Sequence, residues 1–179
     1  GEEIKKYLIE TLHQFIYRTQ LGSVLKFDRR LYDVSTPFVK VGGGSIGGKA
    51  RGLAFMDFLI SKDVIPEKID GVKITTPNSV VLSTDIFDFF VEQNNLESLI
   101  NENYEDEKIA EIFSRIKLPD YAVKDLLVVL ENFTGPIAVR SSSILEDSKT
   151  HPFAGIYKTY MFKNTGDLED RFEELEKAV

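Results

Sequence analysis

Residues 41–56 read VGGGSIGGKARGLAFM, and the fold turns on what this glycine cluster does between an apolar run and a helix-forming run. Gly42, Gly44 and Gly47 spell G-x-G-x-x-G, a dinucleotide fingerprint, while Gly43 through Lys49 spell G-x-x-x-x-G-K, a P-loop short of its last letter. A third reading is a glycine pair followed by a lysine at the mouth of a helix. The P-loop template needs Ser or Thr after the lysine to bind magnesium, and Ala50 offers only a methyl. The dinucleotide template wants an acidic residue ~20 positions on that closes a second strand. Asp63, Glu67 and Asp70 lie near that distance but fall at a helix end and in a turn. A flexible glycine hairpin with a solvated Lys49 is the bland alternative to all three.

The rest of the chain limits the choice. With 179 residues there is room for one domain or two small ones, and a composition 42% hydrophobic with 13 Phe and 7 Tyr reads as globular. No apolar run approaches the ~20 residues of a bilayer span. The opening GEEIKKYLIE is neither a signal nor a transit peptide, and a start on Gly reads as a piece of something longer. The absence of cysteine removes disulfides, thiolate metal sites and a Cys nucleophile, which fits a cytoplasmic setting. A net charge of −7 argues against general attraction to nucleic acid or an anionic membrane. Any anionic ligand is therefore held by a few placed cations.

Periodicity places the elements. Ile4, Leu8, Leu12, Phe15 and Ile16 predict an amphipathic helix over 3–20, and LGSVLKFDRRLYDVSTP then reads as an irregular connection or linker. FVKV (38–41) predicts a short strand, and Leu53, Met56 and Ile60 predict one face of a helix opening near Lys49. GVKITTPNSVVLS (71–83) reads as two extended pieces broken at Pro77, followed by a helix capped by Ser83 or Thr84. Ile109, Ile112, Phe113 and Ile116 mark another helix. Pro119 takes a first-turn position in the next, which carries Val123, Leu126, Leu127 and Leu130. GPIAVRSSS (135–143) and GIYKTYMFK (155–163) predict strands, and a helix capped by Thr165 or Asp167 closes the chain. Strands with segregated helices predict an α+β or α/β fold.

The second informative stretch is GPIAVRSSSILEDSKTHPFAGIYKTYM (135–161). Arg140 closes an apolar strand and precedes three serines, which sets a permanently charged fork of donors beside hydroxyls and backbone N–H groups. Such a strand end can hold a phosphate. Gly155, in PFAG, lets backbone approach a ligand closely. The competing reading pairs Arg140 with Glu146 or Asp147 and makes the serines a turn.

Taken together, GGKARGL, PIAVRSSSILED and PFAGIYKTY resemble the ATP-binding region of the phosphoenolpyruvate synthase and pyruvate phosphate dikinase family, which also takes in glucan water dikinases and rifampicin phosphotransferases. The resemblance covers roughly residues 38–175, with TPNSVVLSTDIFDFF similar to the family's intervening strand and Thr-capped helix. It implies an α+β fold: the N-terminal subdomain of an ATP-grasp nucleotide-binding domain, a mixed sheet with packed helices. Residues 1–37 would form an N-terminal helix and linker, and 38–179 the first ATP-grasp subdomain.

Roles follow from the resemblance. Lys49, beside Gly47 and Gly48, would neutralise ATP phosphate oxygens, and Arg140 would stabilise charge on the transferring phosphate. Ser141 and Ser142 would assist, and Phe153, Ala154 and Gly155 would form a loop over the phosphates. The implied reaction passes the ATP β-phosphate to a carrier histidine. ATP and Mg²⁺ are the implied ligands, with the metal ligands expected outside this chain, as are the adenine pocket and the phosphohistidine and acceptor-binding domains. His13 and His151 lack the phosphohistidine context. Ile156 stands where synthases often carry Gln, and the Gly-Ile-Tyr form is similar to that of glucan dikinases, so the acceptor stays open. A non-catalytic nucleotide-sensing or docking module of a multidomain regulatory protein is the alternative.

Overall fold

The structure, a computed structural model, describes residues 3–8, 11, 24–34, 36, 38–62, 70–96, 104–142 and 157–179. The architecture is mixed α/β, with two small sheets and packed helices. Three parallel strands, β1 (Leu25–Lys26), β2 (Phe38–Val41) and β3 (Ser79–Leu82), lie in the order β1-β2-β3. Their register pairs Leu25 with Val39, Val39 with Val80 and Val41 with Leu82. Parallel neighbours need a crossover. Between β2 and β3 it includes helix α1 (Gly47–Ser61), which the glycine cluster introduces.

The central strand is buried on both faces, as parallel strands are when helices cover each side. Phe38 packs with Ala50 and Ala54 of α1, and Val81 adjoins them. Small residues one turn apart let the helix lie close to the sheet. The buried face of α1 therefore runs through Ala50 and Ala54 with Leu53 beside them. Met56, expected on that face, is 54% exposed.

On the opposite face Val39 and Val41 pack with Phe27, Ile86, Ala122 and Val129. Ile86 comes from α2 (Thr84–Gln93), and Ala122 and Val129 from α4 (Asp120–Asn132). Between these two runs α3 (Asp106–Ser114), which ends before the expected Ile116. Buried Ala122, Leu126, Val129 and Leu130 recur at helical spacing, so α4 presents an apolar stripe wide enough for two partners. Leu126 and Leu130 turn to Leu175 of α5 (Leu168–Ala178) and to Ile137, Val139 and Phe162 of an antiparallel pair. That pair is β4 (Ile137–Arg140) with β5 (Thr159–Phe162), in which Ile137 faces Phe162 and Arg140 faces Thr159. Helix α4 thus ties the two sheets together.

Several expectations change in detail. Of the predicted first helix, residues 3–8 and 11 are helical and the remainder lies outside the described residues. Part of the expected irregular connection is ordered: β1 joins the sheet, Phe27 enters the core, and Arg29 pairs with Asp125 on α4. Only 79–82 of the stretch 71–83 forms a strand, and β5 begins at Thr159, later than expected. Pro119 occupies the position before the first turn of α4, and its carbonyl accepts from the Ala122 and Val123 N–H groups. Asp167 caps α5 by accepting from the Asp170 N–H at 3.0 Å. Ser83 occupies the cap position of α2 but caps nothing with its side chain, for reasons that lie in the glycine loop.

Candidate functional site

The N-terminus of α1 is built from residues that are poor helix formers, and it has no side-chain cap of its own. Ile46 stands at the cap position. The missing group comes from the other end of the chain: the Ser142 hydroxyl donates to the Ile46 carbonyl and accepts from the Ala50 N–H, both at 3.2 Å. Gly47 makes this approach possible. Its φ is +74°, and a Cβ there would stand 2.2 Å from the Ser142 carbonyl oxygen and 2.6 Å from its hydroxyl. Only a glycine fits against Ser142 at this point.

Gly48 is different. Nothing lies within 4 Å of where its Cβ would be, so no described atom demands glycine. The N–H groups of the first turn, of which that of Ala50 is bound by Ser142, have no intrahelical acceptor, and they sit at the positive end of the helix dipole. Such a terminus accepts phosphate. Lys49 follows in the same turn, half-buried.

Arg140 approaches from the second element. Ile137 and Val139 face the core, so alternation turns Arg140 to the outer, exposed face of the β4–β5 pair. Ser141 and Ser142 lead from it to the α1 terminus. Two residues span at most ~7 Å of chain, so the Arg140 backbone lies within that distance of Ser142. The structure therefore brings Gly47, Gly48, Lys49, Ser142 and, through the chain, Ser141 and Arg140 to one corner. Phe153, Ala154 and Gly155 lie outside the described residues, as do His13, His151, Glu146 and Asp147.

Sequence reasoning missed the residue that orders the loop before α1. The Asp85 carboxylate accepts from the Gly43 N–H at 2.8 Å and from the Gly44 N–H at 2.9 Å. Thr84 adds two bonds: its hydroxyl accepts from the Ser45 N–H at 3.1 Å, and its own N–H donates to the Ser45 carbonyl at 2.9 Å. Ser83, 2% exposed, donates its hydroxyl to the Val41 carbonyl at 2.7 Å and also bonds Asp85. The hydroxyls expected to cap α2 are thus spent on the glycine loop. Lys40 holds the loop's carbonyls, donating to Gly44 at 3.1 Å and Gly43 at 3.3 Å.

Burial alone would raise the Asp85 pKa, but the bonds from Ser83 and from the Gly43 and Gly44 N–H groups outweigh it and hold the carboxyl down at about 2. It is an anion at neutral pH. Two of the glycine amides inside the dinucleotide and P-loop templates, those of Gly43 and Gly44, are already occupied by this carboxylate. The N–H groups that open α1 lie further on, at the glycine pair with lysine at the helix mouth. The sequence signal for Asp85 was an acidic residue in the first turn of a helix, which ordinarily reads as a favourable dipole contact and nothing more.

The donor set at the corner consists of N–H groups, hydroxyls and cations. It suits phosphate oxygens and does not suit a divalent cation, and among the described residues no group of three or more His, Cys, Asp or Glu could hold a metal. Nor is any described helix long and apolar enough to cross a membrane.

No curated protein and no solved structure matches the chain. A family model described as pyruvate phosphate dikinase, AMP/ATP-binding domain, matches residues 44–179, a span that takes in α1, Asp85 and the Arg140–Ser142 corner. With well over half of its 179 residues inside that match, the chain belongs to the pyruvate phosphate dikinase family through its AMP/ATP-binding domain.

Proposed function

We propose that the chain is the ATP-binding part of a phosphoenolpyruvate synthase-like, pyruvate, water dikinase-like phosphotransferase, and that residues 38–179 form the first subdomain of an ATP-grasp nucleotide-binding domain. The single observation that carries this reading is the junction of Gly47 with Ser142, which joins two phosphate-type elements more than ninety residues apart in the chain. In this reading the ATP phosphates rest on the α1 N-terminus at Gly47 and Gly48. Lys49 neutralises phosphate oxygens, and Arg140 stabilises the charge that builds on the phosphoryl group in transfer, with Ser141 and Ser142 positioning them. Phe153, Ala154 and Gly155 close over the phosphates.

The histidine nitrogen of a carrier domain attacks the ATP β-phosphorus as the bond to AMP breaks, and water takes the γ-phosphoryl group as inorganic phosphate, which leaves the β-phosphate on the histidine. The histidine belongs to another domain of the intact protein, as does the acceptor-binding site. Magnesium, held by ligands outside this chain, would offset phosphate charge. A cytoplasmic location accords with the absence of cysteine.

Incubation of the intact protein with ATP labelled at the β- or at the γ-phosphate tests the proposal. Acid-labile label arriving on protein from the β position supports it, and Arg140→Ala abolishes that label while leaving the fold intact. No label from either position, with ATP binding retained, replaces the phosphotransferase with a nucleotide-sensing module.

A further inference from the structure

Side chains of α2 hold three consecutive loop N–H groups: Gly43 and Gly44 on the two oxygens of Asp85, and Ser45 on Thr84. The loop has no slack around them. A Cβ on Gly42 would stand 2.1 Å from the Ser83 hydroxyl, and one on Gly44 would stand 2.7 Å from the Thr84 hydroxyl and 2.8 Å from the Asp85 N–H nitrogen. Ser83 binds the Val41 carbonyl through both its N–H and its hydroxyl, so the contact is anchored to the end of the central strand. The loop is therefore bonded at Val41, Gly43, Gly44 and Ser45 and hemmed in at Gly42, and α1 starts two residues later.

We infer that Asp85 is a positioning residue for the nucleotide site: its carboxylate fills the anion nest of Gly43 and Gly44 and thereby fixes where the α1 N-terminus meets Ser142. Two adjacent N–H groups turned to one side make a concavity that binds an anion. Here the anion is part of the chain. An internal carboxylate serves two ends at once. It excludes a phosphate from the wrong pair of glycines, and it holds Gly47 and Gly48 in register with Ser142.

The inference rests on the ATP-binding reading for its consequence but not for its geometry, and the test separates the two. Asp85→Asn keeps the shape of the side chain but can accept from only one of the two N–H groups, since its amide nitrogen faces the other as a donor. Asp88→Asn, on the same helix and bonded to no loop residue, is the control. In the nucleotide-free protein, amide NMR signals of Gly47 and Gly48 report the position of the helix start, and ATP titration reports the affinity.

The expected result is that Asp85→Asn moves the Gly47 and Gly48 signals and weakens ATP at least tenfold, while Asp88→Asn changes neither. Unmoved signals overturn the inference whatever the affinity does, because Asp85 would then not set the helix start. Moved signals with unchanged affinity overturn its functional half. If the unsubstituted protein binds no ATP although the signals move in the variant, the ATP-binding reading fails and the anchoring role of Asp85 stands. Should Asp85→Asn fail to fold, Thr84→Val, which removes only the bond to the Ser45 N–H, carries the same two readouts with the same expected directions.

Discussion

Gly47→Ala and Gly48→Ala place the same methyl on adjacent residues of one helix turn, and the structure predicts opposite outcomes. At position 47 the methyl would stand 2.2 Å from the Ser142 carbonyl oxygen, well under the 3.0 Å that real Cβ atoms keep, so the two segments must part by about 1 Å. Ser142 then loses its bonds to Ile46 and Ala50, worth about 1 kcal/mol each. A φ of +74° adds about 1–2 kcal/mol for a residue with a Cβ. The cost is about 3–4 kcal/mol, a large part of the 5–15 kcal/mol that holds a typical domain together.

At position 48 no described atom lies within 4 Å, and alanine is the better helix former by up to ~1 kcal/mol. Stability holds or rises slightly. The methyl instead fills the space from which a phosphate would reach the first-turn N–H groups, and a loss of about 1.4 kcal/mol is tenfold in ATP affinity. Thermal melting and an ATP titration on both variants decide the matter. A Gly47→Ala protein that melts like the parent refutes the junction, and a Gly48→Ala protein that binds ATP unchanged refutes the placement of the phosphates.

Three further outcomes follow from the same geometry. The Asp85 pKa lies at about 2, below its ordinary 3.8, so its stabilisation is complete above the ordinary value and disappears as pH falls through about 2. The shift corresponds to about 1–2 kcal/mol once solvent screening of this partly exposed group is discounted. Melting curves should therefore separate Asp85→Asn from the parent at neutral pH and bring the two together near pH 2. Leu130, fully buried between α4 and α5, should cost about 2–5 kcal/mol as alanine, read from chemical denaturation midpoints. Arg140→Ala, on the exposed outer face of β4, should leave melting within about 0.5 kcal/mol of the parent while ATP binding weakens, a split that separates its binding role from packing.

The sequence made the repeating features legible because their cause is periodic. β2 falls at 38–41 where FVKV reads as a short strand, α1 opens at the glycine pair, and the α4 stripe emerges from its leucines. β1 escaped because two residues carry no period, and its place was set by pairing with β2. Met56 was assigned to the wrong face of α1 because large residues attracted the reading, whereas the sheet accepted the small side chains of Ala50 and Ala54. At the candidate site, Gly47, Lys49 and Ser142 were singled out through motif resemblance, but the contact of Ser142 with Gly47 and the start of α1 was not. The Asp85 anchor was invisible for a different reason. Its bonds reach 42 and 41 residues back to Gly43 and Gly44, and an aspartate in a first helical turn has an adequate local explanation.

The most direct test of the account is an ATP titration of the chain followed residue by residue in amide NMR spectra. The account predicts that signals of Gly47, Gly48, Lys49, Ser141 and Ser142 move together and saturably, while those of Gly43 and Gly44, held by Asp85, stay in place. Movement led by Gly43 and Gly44, or a spectrum in which the Gly47–Lys49 signals ignore ATP, would contradict it.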